Sequence, residues 1–290
     1  MKTTIVFKRE TNFEIKGDFY PVPQKSRPII VYIHGGGLFW GSREDLKAEQ
    51  IEFYNRAGFN IFSIDYRLAP ESKLSDIQTD IADALYWVEN EGAKEFDYDP
   101  EKIAVIGGSA GGYLALLSGT FKKKPNAIVS FYGYGDITGD WAIKPSPHYL
   151  SMTSVPKELA NMLVSDSIIT VGPIEKRYAI YMHARQQGVW IDKISGLDSS
   201  LEKEKLSEFC PLKLVQPEFP PTLLLHGTND EDVPYQQSVL MAETLKEAGV
   251  KSKLITIPGG KHVFDEDWQN PLVQQAFDEV VAFLNLHLNK

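Results

Sequence analysis

The sequence predicts an α/β architecture: a mainly parallel central sheet flanked by helices, with an inserted helical cap. Three observations predict it. Several short runs are almost continuously apolar, as strands buried on both faces require. Most intervals between them repeat apolar residues every three or four positions, the helical period. Strand and helix therefore alternate, which is the order of a parallel sheet.

Two alternating runs near Thr3 to Lys8 and Asn12 to Tyr20 predict an antiparallel hairpin at a sheet edge, ended by Pro21 and Pro23. The buried strands are Pro28 to Gly36, Phe59 to Tyr66, Lys102 to Ser109, Ala127 to Gly133, Thr222 to Gly227 and Ser252 to Pro258. Helices are expected over Arg43 to Ala57, Asp76 to Glu91, Ala110 to Thr120, Tyr235 to Ala248 and Pro271 to Leu288. From Tyr134 to about Gln216 a longer stretch replaces the expected helix, with helical segments near Lys157 to Thr170 and Ile174 to Gln187. The expected organisation is one core formed by residues 1–133 and 217–290, with residues 134–216 as a cap over one end of the sheet. No internal repeat or low-complexity tract is visible.

At 290 residues, with 43% hydrophobic and 24% charged residues, the chain is long enough for one substantial core plus an insertion. A net charge of −9 disfavours nucleic acid and anionic membranes as partners, and Lys122 to Lys124 read as a solvated loop. The amino-terminal apolar run, Ile5 to Phe7, is too short for a signal-peptide core and no stretch approaches membrane-spanning length, so a cytoplasmic location is expected. The single cysteine, Cys210, has no intramolecular disulfide partner and is expected to be a buried structural thiol.

The chemistry centres on IAVIGGSAGGYLALLSG, Ile103 to Gly119, where a strand pattern stops at Ser109 among Gly107, Gly108, Gly111 and Gly112. Glycines there permit a sharp turn that holds the serine out to a substrate. A serine hydroxyl becomes a useful nucleophile only when a histidine takes its proton and an acid orients that histidine. In a parallel sheet such groups gather at the carboxyl ends of strands. His262, in the loop GGKH after the last strand pattern, reaches that rim. His34 and His226 precede glycines, His148 and His183 lie in the insertion, and His287 is in the last helix. The loop HGTNDEDVP, His226 to Pro234, offers the acid: Asp230 first, Asp232 as fallback. Asp265 and Asp267 follow the histidine and break the order Ser, Asp, His. HGGG, His34 to Gly37, follows a strand and brings side-chain-free backbone where an oxyanion needs N–H donors.

Taken together, HGGG (34–37), DYRLAPE (65–71), GGSAGG (107–112), HGTNDEDVP (226–234) and GGKH (259–262) resemble the α/β-hydrolase fold, and within it the hormone-sensitive-lipase-like carboxylesterases. The likeness spans about Pro28 to the end of the chain, except for the insertion. It implies Ser109 as nucleophile, His262 as general base and then acid, and Asp230 as its orienting partner. It also implies the N–H groups of Gly36, Gly37 and Ala110 as the oxyanion hole, and a bracing role for Arg67 and Glu71. Two features depart from the pattern: Gly108 stands where that family usually has Asp before the serine, and few residues precede the first buried strand.

The resulting expectation is a hydrolase of small carboxylic esters working through an acyl-enzyme, without cofactor or metal. Phe39 and Trp40 would face the substrate; Trp141, Tyr149, Tyr178, Tyr181, Met182 and Trp190 are candidates for an apolar pocket. Amide or peptide hydrolysis, or formamidase chemistry, on the same triad is the enzymatic alternative. A non-catalytic small-ligand binding protein on a hydrolase scaffold is the other. The residues leave the oligomeric state open.

Overall fold

A computed structural model describes residues 2–288; Met1, Asn289 and Lys290, the outermost positions of the expected core, lie outside the described residues. Eight strands form one sheet in the order β1-β2-β4-β3-β5-β6-β7-β8. They are β1 Thr3–Arg9, β2 Glu14–Tyr20, β3 Arg27–Ile33, β4 Asn60–Ile64, β5 Tyr98–Gly108, β6 Ala127–Phe131, β7 Thr222–Gly227 and β8 Ser252–Ile257. Strands β1 and β2 pair antiparallel, and β2 joins the sheet antiparallel to β4. Every pair from β4 through β3 to β8 is parallel. The edge hairpin and all six buried strand patterns are therefore present.

The longer helices are α1 Ala48–Arg56, α2 Leu74–Trp87, α3 Ala110–Ser118, α4 Ile174–Gln187, α5 Gln236–Glu247 and α6 Pro271–Leu288. Two apolar clusters cover the two faces of the sheet. One gathers α2, α3 and residues of 134–216; the other lies under α1 and α6. Helix α3 is buried at every position, so its sequence is apolar all round rather than on one stripe.

Two expected helices are shorter than their patterns. The stretch Arg43 to Ala57 begins as a separate short turn, Arg43–Asp45, because Ser42 and Asp45 cap each other's backbone, and α1 starts only at Ala48. The helix expected over Lys157 to Thr170 ends at Met162. Beyond it Ser165 turns its side chain onto the Ser167 N–H at 3.0 Å, and its own N–H donates to Glu71 Oε1 at 2.7 Å. These local bonds compete with helix continuation.

Residues 134–216 connect two adjacent strands, β6 and β7, and carry α4 with a set of short helices. Cys210, in this stretch, is fully buried, with its Sγ 3.4 Å from the Leu206 carbonyl oxygen. Burial pushes its thiol pKa up to about 12. Among the described residues no helix is long and apolar enough to cross a membrane.

Candidate active site

Ser109 sits between β5 and α3 with φ 55° and ψ −121°, a conformation that non-glycine residues avoid. Its neighbours make the turn possible. A Cβ on Gly107 would stand 2.3 Å from the Gly111 carbonyl, and one on Gly111 would stand 2.0 Å from the Ile33 carbonyl oxygen. The turn is held by the Ser109 N–H donating to the Phe131 carbonyl at 2.9 Å. The strain is of the order of 1–3 kcal/mol, and packing of α3 and β6 around the turn maintains it.

The loop after β8 carries His262 to this serine. Ser109 Oγ–H donates to His262 Nε2 at 3.0 Å, and His262 Nδ1–H donates to Asp230 Oδ2 at 2.7 Å. The carboxylate can only accept, which fixes the proton on Nδ1 and leaves Nε2 free to take one. Asp230 Oδ1 accepts the N–H groups of Asp232 at 3.0 Å and Val233 at 2.9 Å, so the loop wraps around its own acid. Burial by itself would raise the Asp230 pKa. Hydrogen bonds from His226 and His262, the charge on His262 and the Val233 N–H more than offset this and hold it well below the usual carboxylate range. Burial lowers the His262 pKa, but its hydrogen bond to Asp230 and the charges of Asp232, Asp230 and Asp265 raise it by more.

His226 gave no functional signal in the sequence, yet it completes this arrangement. It is fully buried at the end of β7, and its Nε2–H is shared between Asp230 Oδ2 at 3.2 Å and the Val233 carbonyl at 3.0 Å. Its Nδ1 accepts from Ser238 Oγ–H at 2.7 Å, which fixes the tautomer. No spacing rule reveals this role, because it depends on two strand ends and α5 meeting.

The glycine loop lies directly against the serine: a Cβ on Gly35 would be 3.4 Å from Ser109 Cβ. Gly36 and Gly37 have φ of 94° and 57°, and a Cβ on Gly36 would fall 2.0 Å from the Trp40 carbonyl oxygen. The N–H groups of Gly36, Gly37 and Ala110 donate to no acceptor among the described residues. His34 is buried and supports the loop from below, stacked on Tyr66 at 4.2 Å.

Gly108 also has a structural explanation. A Cβ there would be 2.8 Å from the Tyr132 hydroxyl, so this tyrosine occupies the space that a side chain at 108 would need. Tyr132 has φ 38°, and its hydroxyl donates to the buried Asp265 at 2.5 Å, while Gln50 Nε2–H donates to the other Asp265 oxygen at 2.8 Å. The Tyr132 ring also meets His262 edge-on at 4.8 Å.

A cleft of about 1000 Å³ opens over Ser109, His262, Gly36 and Gly37. Trp40 lines it. Phe39 does not, which corrects the expectation for that residue: it is fully buried and packs toward Tyr181. The turn from Gly36 to Trp40, closed by two N–H bonds to the Gly36 carbonyl, puts consecutive side chains on opposite sides of the loop. Of the aromatic candidates in 134–216, Tyr149 and Tyr178 line the cleft. Trp141, Tyr149, Tyr181 and Trp190 surround the buried Arg185 guanidinium at 4.9–5.6 Å, and Met182 packs against the core.

Arg67 and Glu71 lie away from the cleft. Arg67 pairs with Asp80 at 2.8 Å, and Glu71 meets Arg177 of α4 through both carboxylate oxygens at 2.6 and 3.0 Å. The same guanidinium donates to the carbonyls of Ala69 and Phe39.

With the geometry described, known proteins supply the family. The BD-FAE family model matches residues 18–245. A non-reducing polyketide synthase, prhL, of Penicillium brasilianum is 30% identical over 90% of this chain, and the match spans 13% of that much longer protein. An α/β-hydrolase superfamily protein from Enterococcus faecalis superposes with a TM-score of 0.79 at 24% identity, covering 99% of both chains. Thermogutta terrifontis esterase 2, in its sarin-phosphonylated form, superposes with a TM-score of 0.70 at 23% identity, covering 98% of this chain and 94% of that one. The chain belongs to the BD-FAE family and has the α/β-hydrolase fold.

Proposed function

We propose that the protein is a serine hydrolase of small carboxylic esters, with Ser109, His262 and Asp230 as its triad. The observation that carries this reading is the continuous hydrogen-bond chain from Asp230 through His262 to Ser109, at 2.7 and 3.0 Å. His262 Nε2 takes the Ser109 proton as Oγ adds to the ester carbonyl carbon, and Asp230 stabilises the imidazolium. Oxygen charge then develops beside Gly36, Gly37 and Ala110, whose N–H groups are preorganised to receive it. His262 returns the proton to the leaving alcohol, and water releases the acid from Ser109 by the same path. On this reading residues 134–216 act as a cap over the site, and Trp40, Tyr149 and Tyr178 contact the substrate. The relationship to a Thermogutta esterase that sarin phosphonylates supports the nucleophile assignment.

The test is hydrolysis of p-nitrophenyl acetate through decanoate by wild type and Ser109→Ala, with a fluorophosphonate probe. Wild type is expected to turn over the shorter esters and to be labelled, and Ser109→Ala to lose at least ~10³-fold in kcat and all labelling. Ester turnover that survives Ser109→Ala overturns the reading. Absence of both turnover and labelling favours a ligand-binding protein on this scaffold.

A further inference from the structure

Two residues beyond Asp230, the same loop carries a carboxylate that the mechanism above leaves unused. Asp232 is held on several sides. Its Oδ1 accepts the Tyr181 hydroxyl at 2.8 Å and lies 3.4 Å from Arg185 Nη1, and its backbone carbonyl accepts Arg185 Nη2–H at 3.1 Å. Arg185 is itself 2% exposed inside its aromatic cage. A loop acid that only capped α5 would need no such anchor, which fixes the carboxylate at one position and angle.

The remaining oxygen, Oδ2, accepts no hydrogen bond among the described residues, and Asp232 lines the cleft. It stands 3.9 Å from His262 Nε2. Nε2 is the atom that hands the proton to the departing group, so Oδ2 adjoins the leaving atom rather than the acyl chain. Esters and amides differ there: the leaving oxygen of an ester bears no hydrogen, whereas the nitrogen of a secondary amide bears one. When serine adds to an amide carbonyl the nitrogen becomes pyramidal. Its lone pair must face Nε2–H to be protonated, and its own N–H then points elsewhere and needs an acceptor.

Building on the serine-hydrolase reading, we propose that Asp232 accepts the scissile N–H and that the substrates of this site include secondary amides. Ser109 Oγ bonds to the carbonyl carbon while its proton passes to His262. The C–N bond then breaks as that proton moves to nitrogen, the amine leaves with its N–H still directed at Asp232, and water cleaves the acyl-enzyme. No further reactant is required.

The test compares kcat and KM for p-nitrophenyl acetate and acetyl p-nitroanilide in wild type and Asp232→Asn. Tyr181 and Arg185 hold the inner oxygen, so the asparagine keeps its carbonyl there and turns its NH2 to the cleft, a donor in place of the acceptor. Wild type is expected to cleave both compounds. In Asp232→Asn the amide-to-ester ratio of kcat/KM is expected to fall about ten-fold or more, equal to ~1.4 kcal/mol, with the loss in kcat rather than KM. Tyr181→Phe, which loosens the carboxylate without removing it, is expected to lower the same ratio by less. A wild type that cleaves only the ester, or an unchanged ratio in whichever variant folds, overturns the inference and leaves the ester-hydrolase reading intact. No cleavage of either compound and no fluorophosphonate labelling overturns both.

Discussion

At the scale of single residues, the environment of His262 makes a signed prediction. Its pKa is raised by Asp230, Asp232 and Asp265, and it acts as a base only when neutral. Ester kcat/KM should therefore climb with pH through a midpoint above the ordinary histidine value of 6.5 and level off on the alkaline side. Asp232→Asn removes one of the raising charges, so its midpoint should lie at lower pH than that of wild type; a pH–rate profile of the two proteins checks the sign. His226 makes a second prediction. His226→Phe deprives Asp230 of one donor and leaves the Ser238 hydroxyl and Val233 carbonyl without their partner. A loss of ~1–3 kcal/mol in stability is expected. So is a fall in kcat on the order of ten-fold or more as the acid loosens. Denaturant unfolding and steady-state kinetics measure the two effects separately.

At the scale of elements, the connection between DYRLAPE and α4 is the informative one. Glu71 and Arg177 have side chains 2% and 5% exposed, so removing either strands a buried charge. Glu71→Ala or Arg177→Ala should each cost ~3–5 kcal/mol, while Glu71→Met with Arg177→Leu should cost less than either single change, because no buried charge is left unpaired. Thermal unfolding of the three variants checks that ordering. The family resemblance implied that Arg67 and Glu71 brace a loop, but their partners were not legible: Asp80 is 13 positions from Arg67 and Arg177 is 106 positions from Glu71. Helix limits were equally opaque where side chains redirect the backbone, as Ser42 with Asp45 and Ser165 do. Gly108 was legible only as a departure. That Tyr132 fills the space follows from its positive φ and from Asp265, neither of which an apolar run reveals.

At the scale of the whole molecule, the sheet was read almost completely because five of its strands, β3 to β7, are largely buried and so carry near-continuous apolar runs, while the half-exposed edge strand β8 still showed a shorter one. The candidate triad was legible for a related reason: parallel strands all release their chains at one rim, so loops after strand ends are the places to look. What could not be read was the second layer, comprising His226, Tyr132 and the Arg185 anchor of Asp232. The contacts of Tyr132 with Asp265 and of Arg185 with Asp232 join segments 133 and 47 positions apart, and those of His226, though within 12 positions, depend on how its strand end, loop and helix fold together.

The burial of Cys210 gives the molecule a built-in reporter. It is the single thiol in the chain, it packs between Asp136 and the Leu206 carbonyl, and its proton is held far above neutral pH. A thiolate-seeking reagent such as Ellman's disulfide should therefore pass over the native protein and colour only molecules whose 134–216 stretch has opened. If that stretch opens on its own, the colour will develop ahead of any loss of circular dichroism from the sheet; if the fold is one cooperative unit, the two signals will move together.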